Sequence, residues 1–408
     1  MIPLLAETGA GVPDLAALLK GLPGAGSLPP VLFWPAAMLV VALLVVGFIS
    51  VFALFAVWLE RKISARIQCR LGPMEVGPVG LFESIPIIGI PLAKLANAFP
   101  MVLGGIAQTA ADGVKLLAKE DIIPAGADKP MYIIGPVIVF LGVFAIFAVL
   151  PFGPNLIGTD LDVGLFFVAA VGSLEAIGVM MSGWASNNKW SLFGTMRTAT
   201  QVVSYEIPLS LAFVAVVALS GTFSLMELSD HQRGWFFHWY VFANPFTAVA
   251  FVIYLIASLA QVKRAPFDLP EAESELVSGF HTEYSGMRFS IFFLSEYAAM
   301  YAVSAVAAVV YLGGYYTGIG PVDDWMFASR TGVLPNLLGL GVIAGKSIFL
   351  VSLQMVIRWT LPRIRLDQVM HLCLKVLLPF SIVCVVGAAA WQLALGDHML
   401  WFIPVGPR

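Results

Sequence analysis

Apolar residues in this chain come in long unbroken runs, not in alternation with polar ones. Runs of about 20 residues or more, enough to cross a hydrocarbon core, occupy 31–58, 131–152, 163–184, 202–223, 244–262, 289–313, 333–359 and 369–395. Continuous runs exclude the alternating strands of a barrel and predict helices, which satisfy their own backbone in lipid. The pattern therefore predicts an all-α polytopic membrane protein with eight transmembrane helices joined by ordered loops. A further apolar run, 84–106, has Lys94 and Asn97 near its middle and is broken by Pro86, Pro91 and Pro100. A central lysine costs roughly 3 kcal/mol in lipid, so this run is expected to be a non-spanning insertion at the membrane interface. Three parts result: an N-terminal segment 1–30, a membrane domain 31–395 and a tail 396–408. The N-terminal segment lacks the basic start of a signal peptide.

Charge gives the helices a direction. Arg61, Lys62, Arg66, Arg70, Lys94, Lys115, Lys119 and Lys129 lie in the first long connection, and the loops sharing its face add Lys189, Arg197, Lys263, Arg264, Arg288, Arg358, Arg363 and Arg365. The other face has Lys20, Arg233, Arg330 and Arg408. Positive loops stay inside, so the rich face is expected in the cytoplasm and both termini on the outer, periplasmic face. The cytoplasmic loops mix charge with Gly, Pro and aromatic residues, which suits a folded surface better than a solvated linker.

Composition narrows the chemistry. Of 408 residues, 59% are hydrophobic and 12% charged, as in a multi-pass membrane protein. A net charge of -3 offers nothing to nucleic acid. Cys69, Cys373 and Cys384 are far apart, so neither a metal nor an iron–sulfur cluster is expected. No phosphate-binding glycine loop is present, and no nucleotide site is expected.

Against this background the stretch RAPFDLPEAESELVSGFHTEY, 264–284, is unusual for its acids: Asp268, Glu271, Glu273, Glu275 and Glu283. Asp268 reads as the cap of a helix starting at Leu269 and Pro270, with Glu271 as capping-box partner and Gly279 as the stop. Glu271 and Glu275 would then share one face and Glu273 the other. Like charges so spaced repel unless arginines or shared protons relieve them. Glu175, Glu206, Glu296 and Lys346 lie inside predicted spans, where charge is expensive and marks ion or proton pathways. For Glu206, a surface anchor paired to Arg197 is the alternative.

Two long segments, GWASNNKWSLFGTMRTATQVVSYEI (183–207) and RAPFDLPEAESELVSGFHTEYSGMRFSIFFLSEYAAM (264–300), carry a family resemblance, joined in part by ERKISARIQCRLGPMEVGPVGL and RWTLPRIRLDQ. They resemble the membrane subunit, known as subunit 1 or the H subunit, that joins the two arms of proton-pumping NADH:quinone oxidoreductase, respiratory complex I. The resemblance implies a multi-pass protein of the bacterial inner membrane that binds no FMN, cluster or metal. It implies a quinone substrate, ubiquinone or menaquinone, in a chamber lined by Glu60, Arg61, Lys62, Arg66, Gln68, Arg70 and Arg288. It implies a proton relay through Glu175, Glu206, Glu271, Glu273, Glu283 and Glu296. The implied partners are peripheral-arm subunits at the quinone site, and antiporter-like and small subunits of the membrane arm. Met74 stands where the family often has Asn, and Gln261 where it often has Glu. A related subunit of a membrane-bound hydrogenase or ferredoxin-driven complex, and a stand-alone ion-coupled transporter, remain alternatives.

Overall fold

A computed structural model of the chain describes residues 30–73, 105–271, 273–327 and 333–395. The expected insertion 84–106 lies, but for its last two residues, outside them. Each predicted span forms a helix: α1 Pro30–Ile67, α3 Lys129–Phe147, α4 Gly164–Ala185, α5 Lys189–Ser220, α6 Pro245–Gln261, α7 Gly286–Tyr311, α8 Val333–Thr360 and α9 Leu378–Leu395. A shorter helix, α2 Ala107–Ala118, precedes α3, and α9 continues from Leu366–His371 through a π turn at Leu372–Leu377. No strand occurs among the described residues. Among the described residues seven helices are long and apolar enough to cross a membrane; α6, at 17 residues, is apolar but shorter.

Two helices extend well past their apolar runs. α1 continues to Ile67, so Glu60, Arg61, Lys62 and Arg66 are helical instead of lying in a loop. α5 starts at Lys189, where the Asn188 side chain accepts a hydrogen bond from the Trp190 N–H at 2.9 Å. It ends at Gly221, whose φ of 75° is left-handed.

α7 is the central post. Every residue from Tyr297 to Tyr311 is buried, and α1, α3, α6 and α8 pack around it. Its Ala, Ser and Val side chains admit close neighbours, as small residues do wherever lipid offers helices no hydrophobic drive to associate. α3 and α4 use glycine to the same end. A Cβ on Gly142 would come within 2.9 Å of the Glu175 backbone nitrogen, and one on Gly178 within 2.7 Å of Val139. Aromatic edges seal the contact of α1 with α7, Phe48 meeting Tyr301 at 5.1 Å.

The acidic loop after α6 folds differently from its local signals. The expected helix from Leu269 does not form; helix appears only at Glu273–Leu276. The Asp268 carboxylate is drawn into an ion pair, accepting from Arg363 at 3.0 Å. The Pro270 carbonyl is pressed against α5 and the end of the loop itself: a Cβ on Gly279 would sit 1.7 Å from it, and one on Gly194 2.9 Å. Gly279, at φ 58°, is therefore a position only glycine fills. These long-range contacts override the capping signature.

Candidate functional site

The loop after α6 delivers charged side chains into the bundle beside the first turns of α7. Val262 ends α6, and Lys263 takes a left-handed φ of 58°. The two basic residues serve different acids. Lys263 Nζ donates to Glu175 Oε1 of α4 at 2.7 Å, with both side chains less than 10% exposed. Arg264, 3% exposed, has Nε 2.6 Å from Glu296 Oε1 of α7, an ion pair outside hydrogen-bond alignment. The same guanidinium lies 3.8 Å from Glu60 Oε1 of α1 and 4.7 Å over the Tyr297 ring. Glu60, 6% exposed, also accepts from the Tyr297 hydroxyl at 2.6 Å and from Arg358 of α8. Buried charges persist when paired in this way.

Glu271 is the exception. Among the described residues no Lys or Arg lies within 4 Å of its carboxylate; His281 Nδ1 stands 3.9 Å from its Oε1. Burial lifts the Glu271 carboxyl well above the usual range; Glu296 and Asp268 lift it further, and Arg264 and Lys263 pull it back. Burial likewise raises Asp268 against the pull of Arg363. Burial pushes His281 down to about 4, so its imidazole is neutral. Between these groups is a cavity of about 20 Å³ lined by Glu175, Lys263, Glu271, His281 and Glu296, with Phe280, Phe292 and Val139 as walls. It has room for one or two water molecules.

Thus Glu60, Glu175, Glu271 and Glu296 converge, while other predicted residues lie elsewhere. Glu206, half-buried on α5, makes no ion pair or hydrogen bond among the described residues, and Arg197 pairs with Glu275 at 2.6 Å instead. The anchoring pair of Arg197 with Glu206 does not form. Glu283 faces the start of α5, accepting from Asn188 Nδ2 at 2.5 Å. The Glu273 side chain lies outside the described set. Arg61 pairs with Asp112 of α2 at 2.6 Å, and Lys62 donates to the Pro73 carbonyl at 2.7 Å. Arg66, Gln68 and Arg70 are exposed at the end of α1, and Arg70 Nε donates to Gln68 at 2.8 Å. Arg288 pairs with Asp121 at 3.3 Å and lies 5.5 Å from the Tyr132 ring centre.

Lys346 is not with the acids. Its ammonium donates to the carbonyls of Leu312, Gly314 and Tyr316 beyond the far end of α7 and lies 4.4 Å over the Trp239 ring. Three donors meet three acceptors, so the ammonium is fully satisfied by backbone carbonyls.

The sequence assigned no part in this site to Lys263, Arg264, His281, Tyr297 or Arg358. The first three sit in or beside the acidic stretch and carried a signal in that adjacency. Arg358 carried none, lying 298 positions from Glu60. No group of metal-ligating residues occurs among the described residues.

The NADH dehydrogenase family model matches residues 39–87 and 98–389. The unmatched residues 88–97 fall within the expected insertion. The H subunit of the NADH-quinone oxidoreductase of Chlorobaculum parvum is 44% identical over 362 residues, 88% of this chain and 93% of its own. The H 2 subunit of the Cytophaga hutchinsonii enzyme is 43% identical over 382 residues, 86% of this chain and 98% of its own. The H subunit of the Anaeromyxobacter dehalogenans enzyme is 42% identical over 367 residues, 88% of this chain and 83% of its own.

Proposed function

The chain belongs to the NADH dehydrogenase family, alongside the H subunits of NADH-quinone oxidoreductases, and from that premise we propose that it couples quinone reduction to proton translocation. In this reading it is a membrane subunit of a bacterial inner-membrane NADH:quinone oxidoreductase. It forms the membrane-side wall and entrance of the quinone chamber through Glu60, Arg61, Lys62, Arg66, Gln68, Arg70 and Arg288. Peripheral-arm subunits deliver the electrons, and Glu175, Glu206, Glu271, Glu273, Glu283 and Glu296 pass charge toward the antiporter-like and small membrane-arm subunits.

One observation carries the reading. Four acids share a largely buried site in which Glu60, Glu175 and Glu296 face cations and Glu271 faces a neutral imidazole across a small cavity. Quinone reduction takes up two electrons and two protons, and charge created in a poorly solvated space acts over longer distances than in water. Interacting acids titrate as a set, so an added charge at the chamber redistributes protons among them. Arg264, held between Glu296 and Glu60, is the mechanical link: a shift of either acid changes the field at the other.

The test uses the assembled complex in vesicles. Replacing both Glu271 and Glu273 by Gln keeps size and removes charge. Electron transfer from donor to an artificial acceptor on the peripheral arm persists, while quinone-dependent turnover and proton uptake fall at least about tenfold, roughly 1.4 kcal/mol of barrier. Glu227→Gln on the opposite face, where the carboxylate accepts from the Thr222 hydroxyl, is the control. Normal pumping by the double variant would return these acids to a solvated loop.

The proposed topology has eight spans within a membrane domain 31–395, including α6. At ~1.5 Å per residue, 17 residues reach ~26 Å, near the short limit for a span. Segments 1–30 and 396–408 then lie on the periplasmic face, and 84–106 does not cross. Cysteines near Glu75 and Lys119 should both label from the cytoplasm; labelling from opposite faces would overturn this arrangement.

A further inference from the structure

We infer that His281 is the proton-exchange partner of Glu271, passing protons between that carboxyl and water in the cavity. The inference deepens the relay reading above and rests on it. His281 is 9% exposed, and its Nδ1 is buried with no hydrogen-bond partner. That nitrogen lies 3.9 Å from Glu271 Oε1, too far for a direct hydrogen bond and within reach of one bridging water. The cavity both residues line has room for that water.

The ring is held in place. It packs against Phe280 at 4.9 Å and Phe289 at 5.3 Å. The turn Gly279–His281 that carries it seats on α4 and α5, and the Thr282 hydroxyl closes the turn by donating to the Gly279 carbonyl at 2.7 Å.

Elimination strengthens the assignment. The charged and titratable groups facing the cavity are Glu271 on the same loop, Lys263 at the end of α6, Glu175 of α4 and Glu296 of α7; α5 contributes none. Lys263 is committed to Glu175, and Arg264 nearby never gives up its proton in a protein. Glu175 and Glu296 are each held by a cation, so His281 is the base facing Glu271 without a counter-ion. The step balances without a co-reactant. A proton leaves Glu271 Oε1 for the bridging water as that water gives one of its own to Nδ1, leaving a carboxylate, an imidazolium and an intact water. Burial favours the neutral ring, so the imidazolium returns its proton promptly. His281 carries protons and does not store them.

The experiment compares His281→Ala and His281→Gln in vesicles of assembled complex. A positioned acid–base group contributes about a hundredfold or more, so quinone-dependent turnover should fall tenfold or more in both. Added imidazole should restore the Ala variant several-fold, increasingly so as pH rises through imidazole's own pKa, whereas pyrazole, of the same shape but barely basic, should not. Equal rescue by pyrazole would leave the ring a mere space-filler and overturn the proposal. If the Ala variant fails to assemble, the Gln variant decides: a tenfold fall supports the proposal and a smaller one overturns it. The two readings separate cleanly. Normal pumping by the Glu271→Gln, Glu273→Gln double variant removes the relay itself, whereas loss there with active His281 variants removes only this inference.

Discussion

The two ends of α7 hold two buried polar centres, about 24 Å apart along the helix by its rise per residue, built to opposite standards. At the far end the Gln232 amide and the charged groups of Asp323 and Lys346 are saturated, while the Trp239 indole N–H is a buried donor left without a partner among the described residues. Gln232 donates to the carbonyls of Leu228 and Val309, both at 2.9 Å, and accepts from the Tyr240 and Gly313 N–H groups. Asp323, 0% exposed, accepts from the Thr317 N–H and hydroxyl and from the Gly318 N–H. Lys346 spends its three donors on three carbonyls. At the near end the groups are underprovided. Arg264 is misaligned with Glu296, His281 Nδ1 and one Asp268 oxygen lack partners, and no Lys or Arg comes within 4 Å of Glu271 among the described residues. A saturated network rigidifies, and a partly satisfied one is costly to keep. In the proposed relay the near end accepts that cost where protons would move; the far end, with its loop closed by Gly313, Gly314 and Gly318 at positive φ, has the form of a fastening.

The contrast can be broken by variants that exchange its two signatures, amount of complex and activity per complex. The largest effect is expected from Asp323→Ala. It leaves Thr317 and Gly318 donors buried without an acceptor, costing about 3 kcal/mol. Assembled complex on native gels should fall sharply, with Lys346→Met behaving alike, while turnover per assembled complex holds. A fall in specific turnover with normal assembly would place the far end in the chemistry. A smaller effect, of the other kind, is expected from Glu296→Gln. Turnover should fall about tenfold, some 1.4 kcal/mol, with assembly within twofold of normal, because removing one acid also relieves repulsion on Glu271. Loss of assembly with unchanged specific turnover would make the near end a structural ion-pair cluster.

The helices were legible because hydropathy is a local, additive property of the chain. Their ends were less so. α1 gains Glu60 to Ile67 because Arg358 and Asp112 receive its charges, and α5 gains Lys189 to Gln201 because the acidic loop and the Asn188 cap receive its start. The capping signature at Asp268 was sound locally and lost to Arg363 and to the clamp of Gly194 and Gly279 on Pro270. Lys346 illustrates the same limit. Its position in a span announced an expensive charge, but only the unwound end of α7 shows that carbonyls, and not acids, receive it.

By itself, then, the chain's sequence determined where it is apolar enough to form spanning helices and which carboxylates it places at an energetic cost, since both depend on residue type and local order. The tertiary structure decided how those charges are satisfied. Glu60 finds Arg358 and Tyr297, Glu175 finds Lys263, and Glu296 finds Arg264. Glu271 is left with a neutral imidazole and a small cavity. Pairing of this kind depends on distances of a few ångströms between helices far apart in the chain, set by how closely they pack around the buried face of α7.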